Sequence, residues 1–151
     1  SFPIRPVKGV SLIFKVSNLN FNNNLWFRNI YAAPRINNIL AVGATEDEKG
    51  YQSYVNLDEI HSLSNSIWEC FPEIERFRIM KINVGLRPTV SDGNPIIGEC
   101  PGTNGKVLFA FGHFRHGILL APVTAKIVSK YTLGKEIEEK YMCFSPKRFN
   151  L

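Results

Sequence analysis

The sequence predicts an α+β chain: a mixed, largely antiparallel sheet with one covering helix, followed by a strand–helix appendage. Three observations predict it. Residues 4–45 hold three apolar runs rich in Val, Ile and Phe, separated by polar turns, the pattern of consecutive antiparallel strands. Residues 57–74 repeat apolar side chains at helical spacing, as one face of a helix does. Val107–Leu133 reads as a buried strand, a glycine-bracketed turn and a second helix.

Taken in order, Ile4–Val16 is a strand with Gly9 as a bend or bulge. The asparagine-rich Ser17–Asn24 is a hairpin loop. Trp26–Pro34 is a second strand, Ile36–Ile39 a tight turn, and Ile39–Thr45 a third strand, apolar enough to be central. A charged loop, Glu46–Tyr54, leads to Asn56, three residues ahead of Glu59, the spacing of a helix cap and its reciprocal partner. Leu57, Ile60, Leu63, Ile67, Phe71 and Ile74 form the apolar face, and the helix ends before Pro72. Arg76–Leu86 is a fourth strand, which Arg87-Pro88 leaves. Ser91–Asn94 is a turn, Pro95–Gly98 a short return and Cys100–Gly105 a loop. Val107–Gly112 is an unbroken apolar strand, His113–Gly117 a turn, and Ile118–Leu133 a helix closed by Gly134. Lys135–Leu151 is a charged helical turn with a proline-containing tail.

Composition bounds the function. A chain of 151 residues, 44% hydrophobic, can bury one ordinary core. Its net charge of +5 is scattered, densest at Lys147-Arg148, so it reads as solvated surface rather than a nucleic-acid stripe. Cys70, Cys100 and Cys143 are far apart and form no CxxC. Neither a zinc site nor a disulfide framework is signalled, and reduced cytoplasmic thiols are the expectation. No apolar run approaches membrane-spanning length, and the start lacks a signal-peptide layout. The opening SFPIRPVKGV has no initiator methionine; a mature chain and a piece of a longer one both remain open.

The residues that could carry chemistry gather late in the chain. Arg87, at a strand end, can grip a carboxylate through two parallel hydrogen bonds. Arg115 lies between two glycines, where free first-turn amides and the helix dipole favour negative charge. Either arginine could instead serve a structural ion pair. Tyr31 could present its hydroxyl to a pocket or sit in the core. His113 and His116 have no carboxylate or cysteine at metal-ligand spacing, and His61 reads as solvent-facing. No GxSxG, P-loop or GxGxxG occurs.

Val84–Gly98 (VGLRPTVSDGNPIIG) and Phe111–Lys126 (FGHFRHGILLAPVTAK) closely resemble the C-terminal half of the glycine oxidases of thiamine biosynthesis, a branch of the D-amino-acid oxidase family. RPVKG at Arg5–Gly9, YAAPR at Tyr31–Arg35, VGAT at Val42–Thr45 and SPKRF at Ser145–Phe149 follow in the family's order. The resemblance implies a flavoprotein that oxidises glycine or a similar small amino acid or amine to an imine, passing a hydride to FAD and giving peroxide from molecular oxygen. It implies substrate binding by Arg87, Arg115 and Tyr31, and a flavin lying along His113, Phe114, Arg115, His116, Gly117, Ile118 and Leu119. No residue is assigned as catalytic acid or base, and no metal, nucleic acid or membrane partner is implied; homo-oligomer formation is left open. The sequence departs from the family at Asn83-Val84, where Trp-Ala is common, and at His116, where asparagine is usual.

The same resemblance divides the chain into a substrate-binding domain, 1–105, and a strand–helix, 106–151, that returns to the FAD domain. The family's dinucleotide-binding βαβ unit has no counterpart in these residues. This piece alone is therefore expected to bind little FAD and to be inactive. Two rivals stand beside this reading: a D-amino-acid oxidase or dehydrogenase of broader specificity, and a non-catalytic binding module.

Overall fold

A computed structural model describes residues 3–17 and 21–149. The strands are β1 (Ile4–Lys15), β2 (Leu25–Phe27), β3 (Ile30–Arg35), β4 (Ile39–Gly43), β5 (Arg78–Val90), β6 (Ile96–Glu99) and β7 (Leu108–Phe111). The helices are α1 (Leu57–Cys70) and α2 (Gly117–Thr132), with short 3-10 turns at Pro72–Arg76, Glu139–Phe144 and Pro146–Phe149. One sheet has the order β2-β3-β4-β1-β5; β6 and β7 form a two-stranded sheet of their own. The pairs β1–β4, β2–β3, β3–β4 and β6–β7 are all antiparallel. This is the α+β architecture expected.

The chain forms two compact units, Lys8–Leu86 and Ser1–Val7 with Arg87–Leu151. Within the second unit β6 pairs with β7, from Ile96↔Phe111 to Glu99↔Leu108.

In the unit Lys8–Leu86, α1 lies over the sheet. Val10, Leu12, Phe14, Leu40 and Val42 pack with Leu63 and Ile67 of the helix. The helix starts where expected: the Asn56 N–H donates to Glu59 Oε2 at 2.8 Å. Leu57, counted on the apolar face, is 80% exposed. Glu59 takes a buried place instead, because Lys8, fully buried on β1, meets it at 2.9 Å (Nζ to Oε2) and 2.7 Å (Nζ to Oε1). Lys49 adds a third contact at 3.1 Å. Burial would raise the Glu59 pKa; Lys8, the Asn56 amide and Lys49 outweigh it and hold it at about 2.

Several local expectations change. The single strand Trp26–Pro34 is two strands, because Arg28 (φ +50°) and Asn29 make a hairpin between Phe27 and its partner Ile30. The expected loop Ser17–Asn24 lies partly outside the described residues. The bulge expected at Gly9 lies on the opposite side: the pairing runs Ser11↔Gly43 but Lys8↔Asp47, so the extra residue falls between Gly43 and Asp47. Strand β5 does not stop at Arg87-Pro88 but continues to Val90. It is an edge strand, where a proline's missing N–H is tolerated. Strand β7, expected to be buried, is half-buried, with Ala110 exposed and only β6 beside it among the described strands.

In the other unit Val90, Ile96, Ile97 and Ile127 are buried. Arg148 clamps the turn before β6: Nε to Asp92 Oδ2 at 2.6 Å, Nη2 to Asp92 Oδ1 at 3.2 Å and to the Asn94 carbonyl at 2.8 Å. The guanidinium holds the Asp92 carboxyl below its ordinary pKa.

Two stability predictions follow from these pairs. Lys8→Met alone leaves a buried carboxylate short of its main partner and is expected to cost about 3 kcal/mol in urea unfolding; Lys8→Met with Glu59→Leu should recover most of it. The Glu59 contribution is present above its ordinary value of 4.5 and is lost as pH falls toward about 2, so the wild-type acid limb should flatten in the double variant. Arg148→Ala is expected to cost about 1 kcal/mol, as its clamp is partly solvated. That loss should vanish in acid, where Asp92 is protonated, and thermal melts across pH read it directly.

Candidate functional site

Of the predicted site residues, His113–Leu119 form the turn between β7 and α2 and the start of α2, and that turn is tied to the end of β5, which carries Arg87. Phe114 N–H donates to the Pro88 carbonyl at 3.0 Å, and His113 bridges antiparallel to Thr89. Pro88, placed by the sequence just past the strand Arg76–Leu86, thus supplies the acceptor that anchors the turn. Gly112 is required here. Its φ is +82°, and a Cβ on it would stand 2.4 Å from Val90 Cγ2. The turn closes with the His116 N–H on the His113 carbonyl at 2.9 Å, and the His116 carbonyl then accepts the first helical bond of α2, from Leu120 N–H, at 2.8 Å.

The turn places Phe114 in the left-handed region, with φ +51°, a conformation that costs a residue with a side chain. Its ring becomes the shared neighbour of the two predicted substrate arginines. The Arg87 guanidinium carbon lies 5.9 Å from the ring centroid, and that of Arg115 lies 5.7 Å from it. Both distances are within cation–π range. Arg87 is half-buried and Arg115 exposed.

His113 faces α2. Its Nε2 is 2.9 Å from Thr124 Oγ1, a partner the sequence reading missed. Thr124 lies two helical turns beyond Gly117, so helical spacing carried the only available signal. Burial lowers the His113 pKa below its ordinary 6.5, so the ring is neutral at neutral pH. The rest of the stretch expected along a flavin, Arg115–Leu119, is exposed; Ile118 is 94% and Leu119 74% exposed. His116 caps α2 without a side-chain hydrogen bond, and no acidic residue stands in the first turn.

Tyr31 belongs to the other compact unit. It is half-buried on β3 opposite Gly43, its ring 5.6 Å from that of Trp26. A Cβ on Gly43 would come within 3.2 Å of the tyrosine hydroxyl, so the glycine gives the phenol room. His61 is exposed on α1. Two hollows in that unit, of about 370 and 600 Å³, lie around α1, one beside Trp68 and Phe77 and one beside Asp47 and Asp58. Neither is lined by a predicted site residue. Among the described residues no helix is long and apolar enough to cross a membrane.

The sequence matches the family of FAD dependent oxidoreductases (DAO) over residues 1–131. It is 36% identical over 137 residues to a glycine oxidase of Bacillus licheniformis, covering 91% of this chain and 37% of that protein. It is 31% identical over 152 residues to the bifunctional protein ThiO/ThiG of Synechocystis sp., covering 97% of this chain and 23% of that one. The crystal structure of glycine oxidase from Geobacillus kaustophilus superposes with a TM-score of 0.88 at 29% identity, over 96% of this chain and 39% of that chain. The chain thus spans well under half the length of the glycine oxidases it matches. With a match over most of its residues and the same fold, the chain belongs to the DAO family of FAD-dependent oxidoreductases.

Proposed function

We propose that this chain supplies the substrate grip and one flavin-facing helix end of an oxidase that converts glycine, or an amino acid or amine of similar size, to its imine. The observation that carries this reading is the pair of guanidiniums, Arg87 and Arg115, gathered on one ring at the start of α2. The similarity to glycine oxidases and to ThiO/ThiG supports the substrate class and a place in thiamine (thiazole) biosynthesis. By the family resemblance, Tyr31 is a further substrate-binding residue of this proposal. The division into a substrate-binding part, 1–105, and a strand–helix serving the FAD domain, 106–151, belongs to this proposal.

The residues present fit a flavin edge. The first-turn amides of α2 have no side-chain cap and no neighbouring acid to compete with an electron-rich ring. Ile118 and Leu119 offer apolar surface beside them. FAD, when bound, supplies the acceptor for the hydride that leaves the substrate α-carbon, with molecular oxygen as final acceptor. Arg87 binds the substrate carboxylate in a bidentate grip and so fixes the direction of the α-carbon. Arg115 adds a second positive charge to the same region. His113, bonded through Nε2 to Thr124 Oγ1 at 2.9 Å, ties the turn to α2. No side chain of this chain is assigned as a base for the α-hydrogen, because its departure as a hydride requires none.

In the flavin-loaded protein, Arg87→Ala is expected to raise KM for glycine about 100-fold, the loss of a charge-assisted bidentate grip. Arg87→Lys should keep part of the affinity, and turnover of a small amine that lacks a carboxylate should change little. Steady-state peroxide formation measures all three. An unchanged KM for glycine in Arg87→Ala would contradict the carboxylate role.

A further inference from the structure

We propose that Trp26 is a positioning residue for Tyr31: its ring backs the phenol onto Gly43 and so fixes where the Tyr31 hydroxyl stands. That the hydroxyl meets substrate rests on the function proposed above; the placement of the ring does not. The strand registers set four residues in one row across the sheet. Trp26 of β2 pairs with Tyr31 of β3, Tyr31 with Gly43 of β4, and Gly43 with Ser11 of β1. Residues paired in this way share a face, and their chain neighbours take the other. The neighbouring row, Leu25, Ala32, Val42 and Leu12, packs in or against the core that holds Leu63 and Ile67 of α1. Trp26 and Tyr31 therefore lie on the face turned away from that helix.

On that face the phenol leans toward β4. A Cβ at residue 43 would stand 3.2 Å from the Tyr31 hydroxyl oxygen, 3.3 Å from Tyr31 Cζ and 3.1 Å from Ser11 Cβ. The end of the phenol thus fills the room that a side chain there would need. The φ of Gly43 is not in the left-handed region, so this room, and not an unusual φ, is what the missing side chain provides. From the other side, on β2, the Trp26 ring stands 5.6 Å from the Tyr31 ring at an interplanar angle of 52°, a separation at which paired aromatic rings attract. Trp26 is 71% exposed on an edge strand, so core burial does not account for its place. What it adds is a wall behind the tyrosine. Glycine alone leaves the ring free to move among staggered χ1 wells; the indole closes the one that points to β2.

The test compares Trp26→Leu, which loses the indole, with Trp26→Phe, which keeps a ring, each alone and with Tyr31→Phe, which removes the hydroxyl. Two readouts are taken on the full protein with its flavin. The first needs no substrate: the nuclear Overhauser contact between the Tyr31 ring ε protons and the Gly43 α protons, expected in wild type and Trp26→Phe and lost in Trp26→Leu. The second is KM for glycine from steady-state peroxide formation. Trp26→Leu should raise it about fivefold and Trp26→Phe less than about twofold, and in the Tyr31→Phe background neither should add more than about twofold. A contact retained in Trp26→Leu or lost in Trp26→Phe would overturn the proposal. So would a KM that Tyr31→Phe raises and Trp26→Leu does not, or a rise from Trp26→Leu that persists undiminished in the Tyr31→Phe background. Tyr31→Phe alone separates the two readings. If it leaves KM unchanged while Trp26→Leu still loses the contact, the substrate role of Tyr31 falls and its placement by Trp26 stands.

Discussion

There is no space for a side chain at residue 112. The Val90 methyl group occupies the position a Cβ would take, and the backbone there turns through positive φ. The same turn carries the left-handed Phe114 and the tie from its amide to the Pro88 carbonyl. The turn thus ties Arg115, two residues ahead of α2, to the end of β5, which carries Arg87. Backbone bonds hold the turn itself, from the Phe114 N–H to the Pro88 carbonyl and from the His116 N–H to the His113 carbonyl.

The other compact unit solves a different problem. Its core is apolar, but Lys8 on the sheet and Glu59 on α1 are both buried and face each other. Such a pair adds little net stability over well-packed apolar residues, yet losing one partner is costly. Its effect is to fix where α1 lies on the sheet, since a slid helix would leave two charges buried and unpaired. Glu59 also receives the Asn56 amide at the helix start. One side chain therefore both begins the helix and docks it.

Much of this was legible in the sequence, and the failures have definite causes. Asn56 and Glu59 mark the start of α1 because capping is a local interaction, and Pro72 marks its end for the same reason. The turn at Asn37-Asn38 shows because asparagine tolerates positive φ. The hairpin at Arg28-Asn29 was missed because arginine carries no such signal. Pro88 was misread because a proline loses its donor but keeps its acceptor, and at this edge the acceptor is what matters. The apolar run Val107–Gly112 reads as buried, yet burial depends on neighbours that a local pattern does not reveal. In the site, Arg87 and Arg115 could be singled out from strand ends and glycine spacing. Their meeting on one ring could not, because it depends on the sign of φ at a phenylalanine. Neither could the His113–Thr124 contact, which requires knowing how α2 lies against the turn.

Membership in the DAO family gives this arrangement a context. The account stands on one claim: the turn before α2 assembles a two-arginine grip for a carboxylate beside an uncapped helix start. A crystal structure of the flavin-loaded protein with acetate tests it most directly. The account predicts acetate oxygens within hydrogen-bond distance of Arg87, with Arg115 on the same side of the Phe114 ring. Acetate held elsewhere, with Arg87 engaged by a protein carboxylate, would contradict it.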